Sequence, residues 1–144
     1  MDNRAEWGPR VPLIALAGLA GVLMAAACAL AAQDVPGRIL TGVGAAGLLV
    51  FAAGSWRARP RLALCDDTLV YRGWVHTRTL RRPDVDTVRI TEFRRLGRRV
   101  RLLEIETAGD VLLVLSRWDL GTDPLAVLDA LTVAGYAGRL GGGP

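Results

Sequence analysis

Apolar residues are distributed along the chain in two distinct ways. Val11 to Ala32 (VPLIALAGLAGVLMAAACALAA) carries no charge, and neither does Ile39 to Ser55 (ILTGVGAAGLLVFAAGS). As a helix the first run would reach about 33 Å, against a hydrocarbon core of about 30 Å. The second lies at the short end of the spanning range. Gln33 to Arg38 separates them, a polar stretch whose Pro36-Gly37 pair predicts a turn. Residues 11–55 therefore read as a transmembrane helical hairpin, with spans 11–32 and 39–55. From Arg57 onward the apolar residues come in short alternating segments instead. Arg61–Cys65 and Thr68–Trp74 flank Asp66-Asp67, the pattern of a tight β-hairpin. Val75–Leu80, Val85–Phe93, Arg99–Thr107 and Val111–Trp118 predict four more strands. In the fifth strand the apolar phase shifts between Leu102 and Leu103, which predicts a bulge or bend. A helix closes the pattern: Asp123 suits the N-cap, Pro124 the first turn, and Leu125, Leu128 and Leu131 form a stripe that Gly135 ends. Residues 140–144 have nothing to bury and are expected to be disordered.

Composition sharpens this division. The chain has 144 residues, 51% hydrophobic and 22% charged. Its mean hydropathy is +0.31, so the apolar excess sits in the first 55 residues. The length allows one modest domain plus an anchor. All 18 basic residues are arginine. The lack of lysine excludes a P-loop lysine, a Schiff-base lysine and a Ser–Lys dyad.

The arginines also set an orientation. Arg4 and Arg10 precede the first run and Arg57, Arg59 and Arg61 follow the second, while the connection carries only Arg38. By the positive-inside rule both termini lie in the cytoplasm, with the chain crossing the cell membrane twice. Trp7 and Trp56, with Arg57, Arg59 and Arg61, read as anchors at that interface. A cleaved signal peptide ending near residues 29–31, or a lipoprotein cysteine at Cys28, fits less well. Asp2 and Glu6 interrupt the basic start, and Ala25-Ala26-Ala27 precedes Cys28 without the usual leucine. Cys28 in the first span and Cys65 in a strand are not expected to pair, and both read as small buried side chains. Gly21, Ala25 and Ala29, with Gly42 and Ala46, place small residues at four-residue spacing. Such stripes serve either packing of the hairpin on itself or self-association and contact with other integral membrane proteins.

Six or seven antiparallel strands followed by one helix describe a bent sheet plugged by a helix. Several phrases go further: Arg59-Pro60-Arg61-Leu62 after the hairpin, Leu69–Gly73 (LVYRG), Arg95-Leu96-Gly97-Arg98-Arg99, Leu103-Glu104-Ile105, and Arg117 to Pro124 (RWDLGTDP). In these the chain resembles the actinobacterial membrane proteins that carry a bacterial pleckstrin-homology-like (PH-like) domain. The resemblance implies a membrane helical hairpin followed by a mainly-β PH-like domain over residues 57–139, with residues 1–10 as a cytoplasmic segment. It implies little chemistry. Phosphoinositide-binding PH domains usually carry a basic motif at the first β-turn, whereas here that turn is Asp66-Asp67.

The most distinctive charged feature is Arg94, Arg95, Arg98, Arg99 and Arg101, between and within the fourth and fifth strands. These arginines could hold anionic membrane lipids or an acidic protein partner, or pair with Glu92, Glu104 and Glu106 on neighbouring strands. Arginines without interleaved aromatics on a tethered domain argue against nucleic acid. His76 is the only histidine and has no acid or hydroxyl motif beside it. Asp84 and Asp86 fall on opposite faces, Asp119 and Asp123 read as helix caps, and Trp118 as cover for the helix entry. The sequence shows no cofactor, metal or nucleophile pattern. The expectation is a non-catalytic accessory or interaction subunit of a membrane complex, the alternative a module that responds to anionic lipid.

Overall fold

The structure, a computed structural model, describes residues 4–31 and 34–137. The two apolar runs form α1 (Val11–Leu30) and α2 (Val35–Arg57). Each has a proline in its first turn, where the missing N–H costs nothing and the fixed φ already suits a helix. For that reason Pro36-Gly37 does not make the expected turn. The connection lies upstream of Val35, and Gly37 and Arg38 are helical.

The small residues let the two backbones approach. A Cβ placed on Gly21 would sit 3.0 Å from the Leu49 side chain and 3.2 Å from Leu48, and one on Gly42 3.6 Å from Cys28 Sγ. Packing of the hairpin on itself is thus what Gly21 and Gly42 serve. Ala29 and Ala46 are exposed instead, and Ala45 is the buried alanine of α2. Leu16, Leu19, Val22, Leu23, Ile39, Leu40 and Val43 point outward. Both helices are long and apolar enough to cross a membrane.

The second unit is discontinuous in sequence: it combines the residues up to Gly8 with those from Pro60 onward. Its first sheet is β1 (Ala5–Trp7), β2 (Leu62–Cys65), β3 (Thr68–Arg72) and β4 (Thr77–Arg81), in that order and antiparallel. The N-terminal residues, read from sequence as a separate segment, therefore supply an edge strand. Trp7 lies opposite Leu62 and packs against the core.

A 3₁₀ turn over Arg82–Asp84, held by Arg81 N–H donating to Asp84 Oδ2 at 2.9 Å, leads to a second antiparallel sheet. That sheet is β5 (Val85–Arg95), β6 (Arg98–Thr107) and β7 (Leu112–Ser116). Its register slips between Val85 and Thr87. The expected irregularity at Leu102 and Leu103 does not occur: pairing is continuous there, with Leu103 in the core and Leu102 on the other face, opposite Thr91 and Ser116.

Two helices finish the unit. The short α3 (Arg117–Leu120), which contains Trp118, starts at Ser116, whose Oγ donates to Asp119 Oδ2 at 2.7 Å. The helix α4 (Pro124–Val133) is capped by Asp123, whose Oδ1 accepts from Leu125 N–H at 3.0 Å. Its buried face is Pro124, Val127 and Leu131, with Leu128 partly buried. Leu125, expected in the stripe, is exposed. Gly135 ends the helix region at φ +82°, a left-handed conformation natural to glycine. Both sheets and α4 share one core that includes Leu62, Leu69, Leu103, Ile105, Leu115 and Leu131. The tail at 140–144 lies outside the described residues.

Candidate interaction site

The five arginines singled out by sequence lie on the β5–β6 hairpin. Arg95 pairs with Arg98, so Leu96-Gly97 is a two-residue loop. Both loop residues have positive φ, 50° at Leu96 and 76° at Gly97. This mirror-image turn matches the twist of the strands it joins, and it favours Asn-Gly. Gly97 meets the requirement without strain, whereas Leu96 does not. The Leu96 side chain is 97% exposed, so no packing holds it in that conformation.

Cross-strand register sorts the arginines onto two faces. Ile90 and Leu103 are paired on the core-facing side. Counting in twos from them, Glu92 opposite Arg101 and Arg94 opposite Arg99 continue that face. Phe93 opposite Val100 and Arg95 opposite Arg98 occupy the other.

Near the base, charges are matched. Arg101 Nε donates to Glu92 Oε2 at 3.2 Å, and its Nη1 donates to Asp123 Oδ2 at 3.3 Å. One side chain thereby ties the hairpin to the start of α4, and these bonds push the Arg101 pKa further up, the Glu92 bond contributing most. Arg99 reaches Glu92 at 3.5 Å. Glu104 takes no part: its Oε2 accepts from Arg89 Nε at 2.7 Å. That bond, helped by the Thr91 hydroxyl, holds the Glu104 carboxyl below the usual carboxylate range.

Arg94, Arg95 and Arg98, in contrast, have no ion pair among the described residues and are exposed. The sequence thus brought together two groups that the structure separates. Arg99 and Arg101 are structural ties, while Arg94, Arg95 and Arg98 flank an apolar apex. A shallow cleft at the hairpin base is lined by Arg99, Val100, Trp118 and Pro124.

The residues read as membrane-interface anchors are also divided. Trp56 is 61% exposed in the last turn of α2, with Arg57 beside it in sequence. Arg61 is instead drawn into the β-rich unit. Its Nε is 3.5 Å from Asp119 Oδ1, and its guanidinium lies 5.6 Å from the Tyr71 ring centre. Trp7 is a strand residue, as described above. His76 and Val75 fall in the β3–β4 loop and not in a strand, because His76 O accepts from Gly73 N–H at 2.8 Å and closes a turn. No group of three or more His, Cys, Asp or Glu is placed to hold a metal ion among the described residues.

Comparison with known proteins follows the same division of the chain. The family model described as "Bacterial PH domain" matches residues 59–137. Two sequences, each described as an uncharacterized protein, from two strains of Mycobacterium tuberculosis are each 60% identical to the chain over 137 residues. The matched region covers 95% of this chain and 97% of theirs. No solved structure matches.

Proposed function

The chain belongs to the bacterial PH domain family, and from that premise we propose that it is a non-catalytic membrane protein serving as an interaction subunit of a larger membrane complex. In this reading α1 and α2 cross the cell membrane, and the PH-like domain stands at the cytoplasmic face. Support for the placement comes from β1 pairing with β2. The residues before α1 and those after α2 belong to one folded unit, so a spanning hairpin has both ends on one side. The excess of arginine at those ends supports the reading that this side is cytoplasmic.

The observation that carries the interaction reading is the hairpin apex. Arg94, Arg95 and Arg98 have no ion pair among the described residues, and they surround a leucine held exposed in a strained turn. Arginines free of carboxylates are available for bidentate pairing with an acidic partner surface. A second reading, contact with anionic headgroups, is favoured by the division of the arginines over both faces of the hairpin, which suits an end-on approach to a fluid surface.

Gentle extraction of the tagged full-length chain, with mass spectrometry of what remains bound, tests the proposal. A stoichiometric membrane-protein partner that R94Q/R95Q/R98Q loses supports the subunit reading. Bound anionic phospholipid alone, lost at raised salt and in the same variant, supports the second. A wild-type chain that emerges free of both contradicts the role given to the hairpin.

A further inference from the structure

We infer that the free edge of β7 is a dimerisation surface, on which a second copy of this chain lays its own β7 antiparallel. The two three-stranded sheets then become one continuous sheet. The inference rests neither on the arginine hairpin nor on the membrane-spanning reading of α1 and α2.

The strands that end the two sheets are β1, β4, β5 and β7. Exposed edges are ordinarily kept from pairing by shortness, charge, proline or a bulge. β1 has three residues and carries Glu6. β4 carries Arg78 and Arg81. β5 carries Asp86, Arg89 and Glu92, and its register slips near its start. β7 reads Leu112-Leu113-Val114-Leu115-Ser116, with no charge, no proline and no register shift against β6. It alone among these edges has none of the protections.

Hydrogen bonding shows which backbone groups of β7 are open. Along an antiparallel strand, residues that bond the neighbouring strand alternate with residues that point away from it. Thr107 N–H donates to Val111 O at 3.0 Å, so the pair that closes the β6–β7 turn is a bonded one. Steps of two from there make Leu113 opposite Ile105 and Leu115 opposite Leu103 the next bonded pairs. Ser116 obeys the alternation, because its N–H turns from β6 and donates to Asp119 Oδ2 at 3.0 Å. The N–H and C=O groups of Leu112 and Val114 therefore face outward, and they have no hydrogen-bond partner among the described residues. Their side chains are 49% and 46% exposed, on the face opposite the buried Leu113 and Leu115.

Charge commits this edge to a second copy. Asp110 precedes β7 and Arg117 follows it, and both are exposed with no ion pair among the described residues. An acid, an uncharged strand and a base in that order complement their own reversal. Antiparallel pairing sets Arg117 of each copy beside Asp110 of the other, at both ends of the contact, where a carboxylate and a guanidinium can pair. The hydrogen bonds also choose the register. With Leu113 on the two-fold axis, Leu112 of each copy lies opposite Val114 of the other, and every outward N–H meets an outward C=O. With Val114 on the axis the ladder would need Ser116 N–H, which Asp119 already holds. Each Leu112 side chain then covers Val114 of the other copy. The contact is isologous, so it closes at the dimer.

The test co-expresses two differently tagged full-length chains in cells, with Cys28 and Cys65 replaced by alanine in both. One carries Leu112→Cys and the other Val114→Cys. These register partners would have Cα atoms about 5.5 Å apart, within the span of a disulfide, whereas each cysteine is offset from its own counterpart. A membrane-permeant oxidant is expected to link the two tags severalfold faster than it links either variant to itself. No linkage while both thiols react with a permeant maleimide, or equal linkage in all pairings, overturns the inference. Linkage of these thiols to a different protein in place of the second copy also overturns it. Exchange of charge gives a second readout, by energy transfer between fluorophores on the tags of purified chains. Arg117→Asp alone or Asp110→Arg alone sets like charges together at both ends and should weaken self-association severalfold at low salt. The two variants mixed restore opposite charges at both ends and should associate as the wild type does. Mixed chains that are folded by circular dichroism yet associate no better than either alone overturn the inference. Val114→Pro removes an N–H that β6 does not use, so it should abolish association and leave thermal unfolding of the β-rich unit nearly unchanged. Association that survives this proline contradicts pairing through the β7 edge.

Discussion

Replacing Leu96 by asparagine should make the β5–β6 hairpin more stable, although it removes a large apolar side chain. The cost of an L-residue in the left-handed region is about 1–2 kcal/mol, and it arises from the Cβ. Leu96 sits there at φ 50°. Asparagine tolerates the conformation and is favoured at this position of the turn. Nothing offsets the gain, because a side chain that is 97% exposed has almost no burial to lose. The net effect expected is about 1 kcal/mol in favour of the folded hairpin. Hydrogen exchange of the β5 and β6 amides in the full chain reads this directly as a local opening free energy. A gain of that size slows exchange by about fivefold. Leu96→Ala is the control: it shortens the side chain but keeps the Cβ, so its exchange rates should match the wild type. Equal slowing in both variants, or no slowing in Leu96→Asn, would refute the argument that backbone strain resides at this residue. The strained, exposed leucine between arginines contributes nothing to the turn itself, which is consistent with the contact surface proposed above.

Three further outcomes follow from other parts of the molecule. The Tyr136 hydroxyl is buried with no hydrogen-bond partner among the described residues, and burial pushes its pKa up. Tyr136→Phe should therefore leave stability unchanged or raise it by up to about 1 kcal/mol in denaturant unfolding, and a loss of more than that would show a bonded hydroxyl. Glu104 has a depressed carboxyl pKa in the fold, so its pairing with Arg89 stabilises fully above the ordinary carboxylate value near 4.3 and is lost as pH falls through the lower folded value. The gap in Tm between wild type and Arg89→Gln should be widest at neutral pH and close in acid, whereas a gap independent of pH would contradict the assignment. Gly21→Val places side-chain atoms where a Cβ alone already meets Leu48 and Leu49 at 3.0–3.2 Å. It should destabilise the helix pair by about 1–3 kcal/mol in detergent unfolding, while Gly47→Val, at a glycine with open space, should not.

The features legible in sequence are those set by local pattern. Two uncharged runs, a tight turn at Asp66-Asp67 and an Asp123-Pro124 helix start each depend on neighbouring residues, and each is found in the fold. What escaped depends on partners far along the chain. The three residues of β1 have no strand pattern long enough to stand out, and they become a strand only because Leu62–Leu64 lies opposite. The signal available was the alternation of Ala5, Glu6 and Trp7. Val75 looks like strand because it is β-branched, yet Gly73 and His76 close a turn around it. The apparent phase shift at Leu102 and Leu103 is a strand with apolar residues on both faces. In the hairpin the arginine cluster was plain from sequence. Its division into ties and free charges was not, because Arg101 finds Asp123, 22 residues away.

The helical hairpin is an insertion within one folded unit, rooted through β1 and β2. A disulfide between Glu6→Cys and Ala63→Cys, which are register partners, tests it most directly in membranes, with Cys28 and Cys65 replaced by alanine. Paired residues in an antiparallel ladder have Cα atoms about 4.5–5.5 Å apart, within the span a disulfide bridges. Rapid, nearly complete linkage is expected under mild oxidation, and none between Glu6→Cys and Thr79→Cys, two strands further across the sheet. Thiols at 6 and 63 that stay unlinked, or that are labelled from opposite faces of the membrane, would contradict it.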